Sequence, residues 1–180
     1  MGFLDLAKSR RSVRRFTGRE VPVKDVEHIL EAGRWAPSAL NKQPWRFIVI
    51  TDGEIKSWIR RVYDRVRDEL GLYKQDASFL EKSTLIVVLS DTGMPGNEVS
   101  TALSAGNILL AAEDMGYGSL IMSSPFMGDE GVRDFKDILG IPDNYKPMFV
   151  IAVGCKDGET PVKDRIPLED LVSYNKYGVG

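Results

Sequence analysis

The sequence predicts an α/β sandwich, a sheet of buried strands covered by helices on both faces. Three observations predict it. Segments with apolar residues at helical spacing alternate along the chain with apolar runs too short to be helices. Those runs are apolar at successive positions, as in strands buried on both faces. The chain has 180 residues, 43% hydrophobic and 28% charged, which is ordinary globular composition with enough length for a sizeable core.

Taken in order, residues 3–9 form a short amphipathic helix through Phe3, Leu6 and Ala7. A second helix follows Pro22, which suits a helix start. It carries Val26, Ile29, Leu30 and Gly33 on one face and ends before Pro37. Residues 45–51 read as a strand, apolar on both faces after its first residues and therefore buried. Ile55, Trp58, Ile59, Val62, Val66 and Leu70 then repeat at helical spacing, with arginines and acids between them as a solvated face. Residues 85–89 form the most apolar strand and belong at the centre of the sheet.

A helix rich in alanine and leucine covers residues 97–115 and stops at Gly116. Residues 118–123 make a further strand. Val132, Phe135, Ile138 and Leu139 mark another helix, closed by Gly140 and Pro142. Residues 148–153 form the last buried strand. Residues 155–180 are a polar, proline-containing tail, unable to make a core of its own, that must lie on this subunit or on another. No repeat, low-complexity segment or linker interrupts the chain, so residues 1–180 read as one domain.

Charge and rare residues exclude several functions. The net charge of -2 argues against a general polyanion binder. Charge is nevertheless concentrated: Lys8, Arg10, Arg11, Arg14, Arg15, Arg19 and Lys24 face only Glu20 within residues 8–24. Such a run is either a solvated arm or the lining of an anion site. Nothing later extends it, so no nucleic-acid partner is expected. With Cys155 the only cysteine and His28 the only histidine, no internal disulfide, metal site or Ser–His or Cys–His nucleophile is expected. His28 falls off the apolar face of its helix and is read as solvent-facing. No signal peptide opens the sequence and no apolar run approaches the ~20 residues of a membrane span. A soluble cytoplasmic protein with no membrane partner is the expectation.

Two constellations carry chemistry. In Arg10-Arg11-Ser12-Val13-Arg14-Arg15-Phe16, an extended backbone turns Arg10, Ser12 and Arg14 toward one groove. Guanidinium, hydroxyl and second guanidinium suit a long anionic ligand with a phosphate and a polyol chain. A solvated basic segment is the competing reading. In Trp35-Ala36-Pro37-Ser38-Ala39-Leu40-Asn41-Lys42-Gln43-Pro44-Trp45, two prolines fix a short loop that presents Ser38, Asn41 and Gln43. Those side chains pair with the donors and acceptors of a heterocycle edge. Trp35 is assigned to the core.

Arg-Arg-Ser-x-Arg-x-Phe followed by Trp-Ala-Pro-Ser-x-x-Asn-x-Gln-Pro-Trp resembles the amino-terminal signature of the FMN-dependent nitroreductase family. Ala105-Gly106-Asn107-Ile108-Leu109-Leu110-Ala111-Ala112 with Gly116-Tyr117-Gly118 resembles the family's central helix and glycine turn. Leu139-Gly140-Ile141-Pro142 with Val153-Gly154 is similar to its last helix-to-strand passage, and Lys163-Asp164-Arg165-Ile166-Pro167-Leu168-Glu169-Asp170 to its tail.

The resemblance implies a nitroreductase-like fold, a three-layer sandwich whose central sheet is mixed and mainly antiparallel. It implies a homodimer with FMN at two shared sites and residues 166–180 reaching the partner. Arg10, Lys163 and Arg165 would hold the FMN phosphate, with Arg11 also counted among the flavin-binding residues. Ser12 would bond the ribityl chain or phosphate, and Arg14 would lie near the N1–C2 edge. Ser38, Asn41 and Gln43 would reach the flavin of the opposite subunit, and the backbone at Met122 and Ser123 would approach its N5 region. The family often supplies a further amide and lysine to the pyrimidine edge; residues 71–80, with Tyr73, Lys74 and Gln75, show no firm match to them. The implied reaction moves a hydride from NADH or NADPH to FMN and on to a nitroaromatic, quinone or similar small acceptor. A non-catalytic flavin-binding protein for storage or sensing is the alternative.

Overall fold

A computed structural model of the chain describes residues 2–73 and 75–178. The elements run α1 (Phe3–Ser9), α2 (Val23–Arg34), β1 (Trp45–Ile50), α3 (Gly53–Glu69), β2 (Thr84–Asp91), α4 (Asn97–Asp114), β3 (Gly118–Met122), α5 (Asp129–Leu139) and β4 (Tyr145–Gly154). Strands lie in the order β1-β2-β4-β3, and every neighbouring pair is antiparallel. Ser12 adds an isolated parallel bridge to Ser119 of β3, which makes the sheet mixed.

The period of two along β2 and β4 builds both halves of the core. Leu85, Val87, Leu89, Val150 and Ala152 pack on one side with Ile59, Val62 and Val66 of α3 and Phe135 of α5. Ile86, Val88, Ile151 and Val153 pack on the other with Val26 and Ile29 of α2 and Ala105, Ile108 and Ala112 of α4. Burying each of the valines, leucines, isoleucines and the phenylalanine among them contributes roughly 1.5–3 kcal/mol, so the two central strands, apolar on both faces, anchor the sandwich. β2 occupies the inner position expected of it.

Two expectations need correction. β1 is an edge strand, and Arg46 and Val49 are exposed while Phe47 and Ile48 are only half-buried. Its apolar residues reflect the run's composition, but topology leaves it a single neighbour. On α5, Ile138 is exposed rather than core-facing.

α4 has no polar face to match its apolar one. Ser104, Ala105, Ile108 and Leu109 are buried, yet Val99 and Leu103 on the far side are 69% and 46% exposed. Thr101 Oγ1 hydrogen-bonds Ser90 Oγ of β2 at 3.1 Å, and Asn107 Nδ2 donates to the carbonyl of Ala32 at 3.0 Å. That second bond satisfies a carbonyl in the last turn of α2 and fixes α4 against it. His28 is exposed, as expected. Among the described residues, no helix is long and apolar enough to cross a membrane and no group of histidine, cysteine and acidic residues has the makings of a metal site.

Candidate functional site

The arginine segment is pinned to the sheet by its two apolar members. Val13 and Phe16 are almost fully buried. Val13 N–H donates to the carbonyl of Ser119 at 3.0 Å, and Phe16 forms an antiparallel bridge with Lys156. Gly118 permits the approach: a Cβ there would stand 2.9 Å from the Val13 side chain. With both anchors facing inward three residues apart, Arg14 and Arg15 between them are exposed, while Arg10, Arg11 and Ser12 before them are half-buried. The strict alternation expected of an extended segment does not hold.

The result is one cleft of about 570 Å³ lined by Arg10, Arg11, Ser12, Arg14 and Arg15 from this segment and by Lys163 and Arg165 from the tail. The tail is brought there by backbone bonds. Thr17 N–H donates to the carbonyl of Cys155 at 3.0 Å, and Asp157 N–H donates to that of Arg15 at 3.0 Å. Six cationic side chains in the cleft face the carboxylate of Glu159 alone. No ion pair occupies any of the six among the described residues. Arg11 donates to the carbonyls of Lys8 and Arg10, while its Nε is buried with no hydrogen-bond partner. Arg14 donates to the carbonyl of Ser12 at 3.2 Å and is otherwise exposed.

An unneutralised cationic cleft with an orphaned buried donor and a hydroxyl fits a phosphorylated ligand. Its volume is within the 300–1,000 Å³ typical of small-molecule sites. The donor set therefore suits FMN: guanidinium and ammonium groups for the phosphate, Ser12 for the sugar-alcohol chain.

Arg14 also acts on Tyr63 of α3. Burial pushes the Tyr63 hydroxyl above its ordinary pKa, while the charges of Arg67 and Arg14 pull the other way. Tyr63 stands on α3, which leads into residues 71–80. There the side-chain nitrogen of Gln75 is buried without a partner, beside Asp64, Arg67 and Asp68 in a separate polar recess. Tyr73 is exposed, with its carbonyl accepting from Arg67. Lys74 lies outside the described residues.

The amide loop is strained and elsewhere. Leu40, Asn41 and Gln43 all have φ near +50°, a conformation that costs roughly 1–3 kcal/mol for each residue other than glycine and clusters at ligand sites. Local bonds hold it: Ser38 Oγ accepts from Gln43 N–H at 3.0 Å, and Gln43 Nε2 donates to the Asn41 carbonyl at 3.2 Å. Gln43 lines a groove between α2 and β1, and Ser38 lines a hollow against Val99 and Leu103 of α4. Neither is the arginine cleft. Within one chain the structure does not bring the two constellations together.

Three further placements correct or refine the sequence reading. Trp35 is 73% exposed and not in the core. Its Nε1 donates to Glu31 at 2.7 Å and Arg34 stacks over its ring at 5.2 Å. Hydrogen bonds from Arg34 and then Trp35 hold the Glu31 carboxyl down at about 2. The Met122 side chain is buried in the core, which leaves only its backbone to face a ligand; Ser123 is exposed. Arg15 lines the cleft but was missed as a candidate, because the alternation rule turned it away from Arg10 and Arg14. Its place in the basic run was the signal for it.

The profile of the Nitroreductase family matches residues 7–155. The chain is 31% identical to iodotyrosine deiodinase of Thermotoga neapolitana over 96% of this chain and 97% of that protein. It is 33% identical to a putative NADH dehydrogenase/NAD(P)H nitroreductase of Archaeoglobus fulgidus over 84% of this chain and 83% of that one. Among solved structures, an oxidized iodotyrosine deiodinase bound to FMN and 3-iodo-L-tyrosine superposes with a TM-score of 0.86. It is 29% identical and covers 97% of this chain and 99% of its own. An FMN-dependent nitroreductase from Clostridium difficile R20291 is similar with a TM-score of 0.76 at 25% identity, over 91% of this chain and 95% of that one.

Proposed function

The chain belongs to the nitroreductase family of FMN-linked oxidoreductases, and from that premise we propose that it uses NADH or NADPH to reduce a small nitroaromatic, quinone or related acceptor. The observation that carries the reading is the arginine cleft, with its six cationic side chains set against one carboxylate. FMN, when bound, supplies the hydride chemistry. Arg10, Lys163 and Arg165 hold its phosphate, whose nearly two negative charges they neutralise. Ser12 bonds the ribityl chain, and Arg14 places a permanent positive charge at the pyrimidine end of the ring, where negative charge gathers on reduction. Arg11 holds the C-terminal turn of α1 in the cleft wall.

Ser38, Asn41 and Gln43 complete the site from the opposite subunit of a homodimer. Two features support that part. The amide loop lies beside Val99 and Leu103, the apolar face that α4 leaves uncovered in one chain. The tail after Ile166 exposes Leu168, Leu171 and Tyr174, as a segment does that packs on a partner; residues 179–180 of it lie outside the described residues.

The near full-length likeness to iodotyrosine deiodinase favours a second acceptor class, halogenated aromatics. One experiment addresses both. Anaerobic FMN-loaded protein is mixed with NADH or NADPH, and the loss of flavin absorbance is followed. A nitroaromatic, a quinone or 3-iodotyrosine is then added. Bleaching by a nicotinamide donor and recovery on one of these acceptors is the expected result. A bound flavin that dithionite bleaches but neither nucleotide does identifies the storage or sensing alternative.

A further inference from the structure

The arginine cleft holds more positive charge than one flavin phosphate uses. Arg10, Lys163 and Arg165 match a phosphate monoester, Arg14 is taken by the ring, and Arg11 is turned onto the carbonyls of Lys8 and Arg10. Arg15 is left over. It is exposed, lines the same cleft and forms no ion pair among the described residues. Its position is nevertheless built. Its carbonyl accepts from Asp157 N–H at 3.0 Å, the next residue, Phe16, is locked in the core, and its Nη2 donates to the Glu159 carbonyl at 3.3 Å. Gly158, with φ of +80°, makes the room: a Cβ there would stand 2.9 Å from Arg15 Nη2.

We infer that Arg15 recognises a second phosphate, the 2′-phosphate of the electron donor, and so makes the protein prefer NADPH to NADH. This rests on the nicotinamide-donor reading given above. The two donors differ by that one group, a monoester of nearly two negative charges. A cleft with surplus positive charge separates them on charge alone. A guanidinium adds a forked pair of hydrogen bonds to phosphate oxygens, for which NADH has no counterpart. The exposure of Arg15 at the cleft rim suits a donor that must enter and leave on every turnover, unlike the resident flavin.

The test uses FMN-loaded wild type and Arg15→Gln. Calorimetry measures binding of 2′,5′-ADP and of 5′-AMP, fragments that differ only in the 2′-phosphate, and anaerobic bleaching is timed with NADPH and NADH. In wild type, 2′,5′-ADP binds roughly ten- to hundredfold tighter than 5′-AMP, the range expected for a charge-assisted bond. The NADPH advantage follows it and shrinks as salt rises. Arg15→Gln narrows both differences about tenfold or more. Arg15→Lys, which keeps charge and loses the fork, falls between. Equal binding of the two fragments to wild type overturns the inference, as does an Arg15→Gln protein that keeps the full difference. If bleaching by NADH and NADPH is equal, Arg15 loses its role while the donor reading stands. If neither bleaches the flavin, both fall.

Discussion

Arg10 closes α1 and opens the cleft, its backbone N–H donating to the Leu6 carbonyl at 3.1 Å while its side chain is proposed to hold the FMN phosphate. Arg10→Ala removes one charge-assisted hydrogen bond, about 1.5–3 kcal/mol, or roughly 10- to 150-fold in FMN affinity. Fluorescence titration of the apoprotein measures this, and riboflavin, which lacks the phosphate, binds wild type far more weakly than FMN. Equal affinity for the two flavins contradicts the site. Arg14 has a different signature. Its loss in Arg14→Ala lowers the flavin midpoint potential, because the reduced ring loses its counter-charge; Arg14→Lys lowers it less. Spectroelectrochemical titration separates the two variants, and an unchanged potential in Arg14→Ala removes that residue from the ring. Arg10, Ser12 and Arg14 were legible as suiting a long anionic ligand, with a solvated arm as the competing reading, whereas Lys163 and Arg165 came in only through the resemblance to the nitroreductase family. Orientation was not. Val13 and Phe16 are buried three residues apart, so Arg15 joined the cleft. Trp35, expected inside, lies outside against Glu31 and Arg34 at the end of α2.

Helix α4 is where sequence periodicity says least and the element says most. Its run of alanines and leucines shows no polar stripe, and a helix apolar all round is buried all round. One side packs on α2 and the sheet through Ile108, Leu109 and Asn107. The other side presents Val99 and Leu103, and at Gly106 a Cβ would meet nothing within 4 Å, so a partner helix has room to approach there. Leu103→Asp puts a charge on that face without touching the buried one. Light scattering after size exclusion is expected to show it as a folded monomer with weakened FMN binding, whereas wild type runs as a dimer. A dimeric Leu103→Asp protein means α4 is not the interface. β1 teaches a related point. Residues 45–51 are apolar enough to read as a buried strand, but the half-exposed side chains of β1 follow from strand order, and order depends on which long-range pairings form. No local pattern encodes that. The alternation of helices and strands and the stops at Gly116 and Gly140 were local and readable.

At the scale of the whole molecule, the two constellations that the sequence places about 25 residues apart end in separate concavities of the same chain. Arg10 to Arg15 meet Lys163 and Arg165 on one side, while Ser38 and Gln43 border α2, β1 and the uncovered face of α4. The strained backbone at Leu40, Asn41 and Gln43 has no evident use within a single subunit. The proposed homodimer would give it one, each amide loop serving the partner's arginine cleft. Complementation between mutant chains tests this most directly. Arg14→Ala and Asn41→Ala are each made, and each homodimer is expected to lose most of its activity. Differently tagged chains are then co-expressed and the mixed dimer is purified. With shared sites, the mixed dimer has one doubly defective site and one in which the intact cleft of the Asn41→Ala chain meets the intact loop of the Arg14→Ala chain. Activity per dimer returns to about half that of wild type if the two sites act independently. If cleft and loop of the same chain serve the same flavin, every site keeps one defect, and a mixed dimer no more active than its parents contradicts the account.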